Sequence, residues 1–264
     1  MISSANFFFA MALTLFAGLA TGVGSLLAFF SRRSDKKFLS FILGFSAGVM
    51  IYISLSELLA ESRTLLAEVY AARGSLLALA CFFGGIFLAL VIDRMIPEGV
   101  NPHEVKCTEE LGCPADAQKL SRSGLVMALV LALHNFPEGM ATFMAAVSDV
   151  KTGLSIAIAV AIHNIPEGIT VSVPVYQATG SRKKAFLYSF GSGLAEPAGA
   201  ILAALVLLPF LSEVMLSCIF SAVAGIMIYI SFDELLPLSE EYGCHHLSIY
   251  GVISGMAVMA ISLL

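Results

Sequence analysis

Eight apolar runs divide this chain from end to end, at 6–30, 38–59, 75–95, 124–147, 153–176, 185–208, 213–236 and 247–264. Each is near the roughly 20 residues a helix needs to cross about 30 Å of hydrocarbon. No water lies there to satisfy backbone N–H and C=O groups, so such runs must close their hydrogen bonds internally, as helices. Composition agrees: 58% of the 264 residues are hydrophobic and 12% are charged, against about a quarter charged in soluble domains. The reading is an all-α integral membrane protein of eight transmembrane helices, one domain over 1–264, with the lipid bilayer as its solvent. The first run is a span rather than a cleaved leader, because no basic residue precedes it and it is too long. Residues 96–123 are polar, hold Pro97, Pro102 and Pro114, and are expected to form a flexible cytoplasmic loop.

Lys and Arg set the orientation. Arg32, Arg33, Lys36, Lys37, Arg94, Lys106, Lys119, Arg122, Arg182, Lys183 and Lys184 fall on one side of the predicted membrane, and only Arg63, Arg73 and Lys151 on the other. The richer side is cytoplasmic, so both termini are expected outside a multi-pass chain in the cytoplasmic (inner) membrane. A net charge of -5 without a long basic run argues against a nucleic-acid partner. The five cysteines are scattered and odd in number, which is no disulfide framework.

Two internal repeats carry more information. Residues 47–59 recur at 224–236, differing only at Val49/Ile226, Leu55/Phe232 and Ser56/Asp233. His134-Asn135-Phe136-Pro137-Glu138-Gly139 recurs as His163-Asn164-Ile165-Pro166-Glu167-Gly168. Each pair lies on spans that run in opposite directions, the pattern of inverted-topology transporters with a site at the repeat interface. The implied plan has spans one to three mirrored by six to eight, with four and five mirrored between them.

The second repeat sits where ionisable groups are least welcome. His134, Glu138, His163, Glu167 and Glu196 all fall near the centres of their spans, and no Lys or Arg lies there. Each carboxylate costs roughly 2.5–3.5 kcal/mol at a helix centre on insertion scales. Protons, water or cations must compensate them. His and Glu four apart share one helical face, with Asn135 and Asn164 bordering it. Imidazole beside carboxylate suits zinc or ferrous iron. Pro137 and Pro166 remove the bonds to the Leu133 and Ile162 carbonyls, so each motif is expected as a kinked helix with freed backbone oxygen. Glu196-Pro197, just after Gly191 and Gly193, reads as a third broken segment. Seven side chains exceed one tetrahedral zinc, and a binuclear site follows: His134, Asn135, Glu138, His163, Asn164, Glu167 and Glu196.

Other candidates are weaker. Glu57 near the outer end of span two, and Asp233 with Glu234 near the inner end of span seven, could attract metal at the two mouths. Asp93 reads as interfacial beside Arg94. His103, Cys107 and Cys113, and Cys244, His245 and His246, lack a zinc-site spacing. Gly18/Gly22, Gly44/Gly48 and Gly251/Gly255 have small-xxx-small spacing and are expected to close helix contacts inside the bundle.

The paired His-Asn-x-Pro-Glu-Gly motifs resemble those of the ZIP family of metal transporters, and within it the bacterial ZupT type. The resemblance covers essentially the whole chain. It implies a 3+2+3 arrangement of spans, a homodimer, and import of zinc, often with iron, manganese, cobalt or cadmium. It implies one metal site from His134, Glu138, His163 and Glu167, and a second from Asn135, Glu138, Asn164, Glu167 and Glu196. It also implies alternating access, with spans one, four, five and six moving against two, three, seven and eight. No catalytic residue or catalytic cofactor is expected. A metal-selective channel on the same site is one alternative. An intramembrane zinc metallohydrolase is another, but Asn135 and Asn164 stand where its base must be. A metal-sensing receptor has no output domain in this sequence.

Overall fold

A computed structural model describes residues 4–30, 36–95, 116–210, 212–241 and 244–262, and every regular element among them is helical. Helix α1 is Ser4–Phe30. Helix α2, Lys36–Ile53, continues through a π-helical turn, Ser54–Leu58, into α3, Leu59–Tyr70. Helices α4 (Ala72–Met95), α5 (Asp116–Ser148) and α6 (Val150–Thr179) follow. Helices α7 (Arg182–Gly193) and α8 (Ala195–Leu202) are separated at Leu194. A further π-helical turn, Ala203–Leu207, follows α8. Helix α9, Glu213–Ile230, passes through a π-helical turn, Ser231–Leu235, into α10, Leu236–Glu241; α11 is His245–Ser262.

Seven of these segments, among the described residues, are long and apolar enough to cross a membrane: Ala5–Leu26, Lys36–Tyr70, Ala72–Arg94, Val150–Val173, Arg182–Phe210, Glu213–Glu240 and His245–Ser262. The expected span 124–147 lies inside α5, which is not one of the seven. Of the expected loop 96–123, residues 96–115 lie outside the described residues, and 116–123 already belong to α5. The second span outruns its apolar stretch by more than a turn. The helix continues through Glu61, Arg63 and Glu68 to Tyr70, where Ala71 at φ 53 turns the chain into α4.

The π-helical turns at 54–58 and 231–235 occupy matching places in the first repeat, since Ser54 aligns with Ser231 and Leu58 with Leu235. Their helices also pack in matching ways. On α2 and α11, a Cβ at Gly48 would collide with the Val252 carbonyl, and one at Gly255 with that of Phe45. On α4 and α9, a Cβ at Gly225 would collide with the Phe82 carbonyl, and one at Gly85 with that of Ala222. Glycine is what lets each pair touch backbone to backbone. The small-xxx-small stripes therefore close seams within one chain, as the sequence predicts. The buried core between the seams is apolar, with Leu43, Met50, Phe143, Met144, Phe220 and Met227 all nearly inaccessible.

Candidate metal centre

Four helical pieces meet at the second repeat: α1, α5, α6 and the α7–α8 break. Gly139 of α5 lies against the Glu196 backbone, and Gly199 of α8 against the Phe136 carbonyl. In the same way Gly168 of α6 lies against the Thr21 carbonyl, and Gly24 of α1 against that of Ile165. Gly18 and Gly193 face each other. The prolines act unequally. Helices α5 and α6 run on through Pro137 and Pro166 without interruption. A proline inside a membrane helix is tolerated when neighbours satisfy the freed groups. At Glu196-Pro197 the chain does break: Gly193 ends α7 and Ala195 starts α8. Pro197 cannot donate to the Gly193 carbonyl.

The side chains converge on this crossing. Asn135, Glu138, His163, Asn164, Glu167 and Glu196 are all buried. His163 Nε2 lies 3.2 Å from Glu138 Oε2, while its Nδ1 lies 3.2 Å from the Ala159 carbonyl oxygen. A carbonyl only accepts, so Nδ1 carries the proton in that contact. A neutral His163 then aims its Nε2 lone pair at a carboxylate, and two acceptors at that distance need a proton or a metal cation between them. Backbone anchoring of Nδ1–H is how metal-binding imidazoles are commonly held.

The two asparagines are held alike. Asn164 Nδ2 donates to the Ala17 carbonyl at 2.9 Å, and Asn135 Nδ2 to the Ser192 carbonyl at 3.4 Å. Asn164 Nδ2 also donates to Glu196 Oε1. With the amide N–H groups engaged, the carbonyl oxygens are left facing inward. Asn135 Oδ1, Glu138 Oε1, Asn164 Oδ1 and Glu196 Oε2 are buried with no hydrogen-bond partner among the described residues. Orphaned buried acceptors are costly, and a cation is one partner that would satisfy them.

His134 is on α5, but its side chain lies outside the described residues. Among the described residues, no three His, Cys, Asp or Glu side chains gather closely enough to hold a metal ion as they stand. The close groupings are His163 with Glu138, and Asn164 with Glu196. Glu167 is buried on α6 one turn beyond His163.

The remaining candidates fall elsewhere. Glu57 is in the π-helical turn at 54–58, and Asp233 and Glu234 are in that at 231–235. Asp93 accepts from the Tyr229 hydroxyl at 3.4 Å. His245 Nδ1 lies 3.0 Å from Glu240 Oε1 at the exposed start of α11. His103, Cys107 and Cys113 lie outside the described residues. The sequence reading passed over several hydroxyls. Ser189 Oγ is within reach of both the Thr21 and Gly168 carbonyls, at 3.2 and 3.1 Å. Thr21, Ser25 and Thr142 are wholly buried with hydroxyl oxygens that have no partner among the described residues. Their signal was the spacing of Thr21 and Ser25, one helical turn apart in an otherwise apolar run.

A family model described as "ZIP Zinc transporter" matches residues 98–263. The chain is 55% identical over 262 residues to the "Zinc transporter ZupT" of Streptococcus mutans, covering 99% of this chain and 98% of that protein. It is 57% identical over 263 residues to the protein of that name from Oceanobacillus iheyensis, covering 98% of each. Identity to the one from Nitratidesulfovibrio vulgaris is 53% over 274 residues, covering 100% of this chain and 99% of that protein. The chain belongs to the ZIP family. Seven apolar helices and this membership together make it a multi-pass membrane protein. In this ZIP-family chain the duplicated motif and the orphaned oxygens coincide in space.

Proposed function

We propose that this protein carries zinc, and with it other divalent transition metals such as iron, manganese, cobalt and cadmium, across the cytoplasmic membrane into the cell. One observation carries the reading: a buried set of carboxylate, amide and imidazole groups lies on α5, α6 and α8, with no Lys or Arg in their central segments. A divalent ion neutralises such a set, and an apolar wall alone does not. Zinc is favoured because imidazole and carboxylate are among its preferred ligands and because the relatives are named zinc transporters.

In this reading His134, Glu138, His163 and Glu167 hold one ion, and Asn135, Glu138, Asn164, Glu167 and Glu196 a second, the shared carboxylates bridging them. The matched glycine contacts support a 3+2+3 inverted repeat of eight spans, with α5 as the fourth. Charge asymmetry supports both termini outside. Assembly as a homodimer follows from the family resemblance. The ion reaches the centre from outside, exchanges water for protein ligands, and leaves inward by alternating access. An inside-negative potential of about 100 mV favours that direction by about 4.6 kcal/mol for a divalent ion.

The test is uptake of radioactive zinc into proteoliposomes, wild type beside His134→Ala and Glu138→Ala. Saturable uptake in the wild type, lost in both variants, is expected. A linear, unsaturated flux would replace the carrier with a channel. Absence of uptake by folded wild-type protein that still binds zinc would end the transport reading.

A further inference from the structure

The two asparagines reveal a matched pair of positions, one of which the transport reading leaves unused. Asn164 bonds the carbonyl of Ala17 on α1, and Asn135 bonds that of Ser192 on α7. Gly168 lies against Thr21 and Gly139 against Glu196; Gly24 lies against Ile165 and Gly199 against Phe136. Each contact on one side has a counterpart on the other, and together they pair Ala17 with Ser192, Gly18 with Gly193, Thr21 with Glu196, and Gly24 with Gly199. The pairing extends to side-chain direction. A Cβ at Gly18 would lie 3.4 Å from Glu196 Cβ, and one at Gly193 would lie 2.9 Å from Thr21 Cβ and 3.0 Å from Thr21 Oγ1. Thr21 and Glu196 thus face each other's helix across one crossing.

Thr21 is wholly buried, and its hydroxyl has no hydrogen-bond partner among the described residues. A threonine in a helix has an easy remedy, donation to the carbonyl four residues back. Thr14 takes it, bonding the Ala10 carbonyl at 3.0 Å. That Thr21 does not leaves a buried oxygen available at the position paired with Glu196.

We infer that the Thr21 hydroxyl is a sixth oxygen donor to the ion held by Asn135, Asn164, Glu138, Glu167 and Glu196, and that it favours six-coordinate cations such as manganese over four-coordinate zinc. This rests on the metal-transport reading above. Six oxygens around one ion are the arrangement manganese and magnesium prefer, whereas zinc is content with four ligands. Removing one neutral oxygen therefore penalises manganese selectively.

The experiment compares wild type, Thr21→Val and Thr21→Ser, the first nearly isosteric and the second retaining the hydroxyl. Zinc affinity is measured by equilibrium binding to the purified protein in detergent. Manganese affinity is measured by electron paramagnetic resonance of free Mn²⁺ on the same preparations. The manganese-to-zinc affinity ratio is expected to fall roughly tenfold in Thr21→Val, the lower end of what lost supporting groups remove at metal sites, and to stay near wild type in Thr21→Ser. An unchanged ratio in folded Thr21→Val overturns the inference. So does an equal loss of both metals, which marks a structural role. Failure of the wild type to bind either metal would instead sink the transport reading.

Discussion

At the α2–α11 seam, Gly48 and Gly255 let two helices touch, and the hydroxyls beside them are engaged: Ser40 bonds the Cys244 carbonyl at 3.2 Å and Ser248 reaches Ser239. At the crossing of α1 with α7 and α8, Gly18 and Gly193 bring backbones equally close. Around that crossing, however, Asn135, Glu138, Asn164 and Glu196 each leave a buried oxygen without a hydrogen-bond partner among the described residues. The same device of small residues serves opposite ends. In the seam, close approach yields contact that holds the bundle. At the crossing, it encloses polar groups that the described residues leave unsatisfied, and the proposed function assigns them to a cargo ion. If the crossing is the transport site, stability and function fall to different regions, as expected where a site is held in an unsatisfied state.

The largest effects should come from exchanging insults between these regions. Gly48→Leu places a branched side chain where even a methyl meets the Val252 carbonyl. Overpacking of this kind costs about 3 kcal/mol or more, so the melting midpoint in detergent should fall sharply. Glu196→Gln, which keeps shape but removes charge, should lower zinc uptake by roughly a hundredfold, the upper range for disturbed metal sites, while the midpoint holds or rises. If Gly48→Leu melts like wild type, or Glu196→Gln loses stability as well as uptake, the division of labour collapses.

Much of this division was legible beforehand. Seven of the spans followed from apolar length, and the shared burial of Asn135, Glu138, His163, Asn164, Glu167 and Glu196 from ionisable groups where lipid forbids them, because both signals are local. The Ala47 and Ala224 repeat announced that two seams should look alike. Other features depend on partners distant in sequence. The engaged N–H of Asn135 is explained by Ser192, and that of Asn164 by Ala17 and Glu196, so neither motif alone says which way its amide turns. Thr21 was overlooked because a threonine in an apolar helix is ordinarily bonded to its own backbone. Pro137 and Pro166 lie within continuous helices, since a proline removes one backbone bond without ending a helix whose neighbours satisfy the freed groups. The break at Glu196-Pro197 did occur, where Gly191 and Gly193 weaken the preceding turn. The helix beyond residue 59 was hidden by its charges, which end an apolar run without ending a helix.

A sharper probe of the second seam uses two side chains already in place. Cys81 on α4 and Cys218 on α9 are free and neighbour each other, one turn before the Gly85 and Ala222 crossing. Disulfides form only when Cα atoms are within about 7 Å, so the pair reports directly on the distance between these helices. Mild oxidation in membrane vesicles should join them within one chain, seen as protection of both thiols from a maleimide label and reversed by reductant. Zinc uptake should change by less than about twofold, because a clasp on a seam adds only constraint to helices already held together. Persistent labelling of both thiols would show that α4 and α9 do not approach as closely as α2 and α11.

The smallest expected effect lies outside both regions and tests whether close contact elsewhere is bought with backbone strain. Ala71 joins α3 to α4 at φ 53 and ψ -134, a conformation that glycine adopts freely and an L side chain does not. Such a residue carries on the order of 1–3 kcal/mol of strain. The tight turn persists because α3 and α4 are pressed together beyond it, where Gly74 lies against the Leu66 carbonyl. Ala71→Gly relieves the strain but loosens the unfolded chain by roughly 0.4–1 kcal/mol. The net is a gain of about 1 kcal/mol, readable as a small rise in the melting midpoint with zinc uptake unaltered. A fall in the midpoint would mean that the turn is unstrained in the membrane, and that the α3–α4 hairpin is set by its own sequence rather than imposed by the helices it connects.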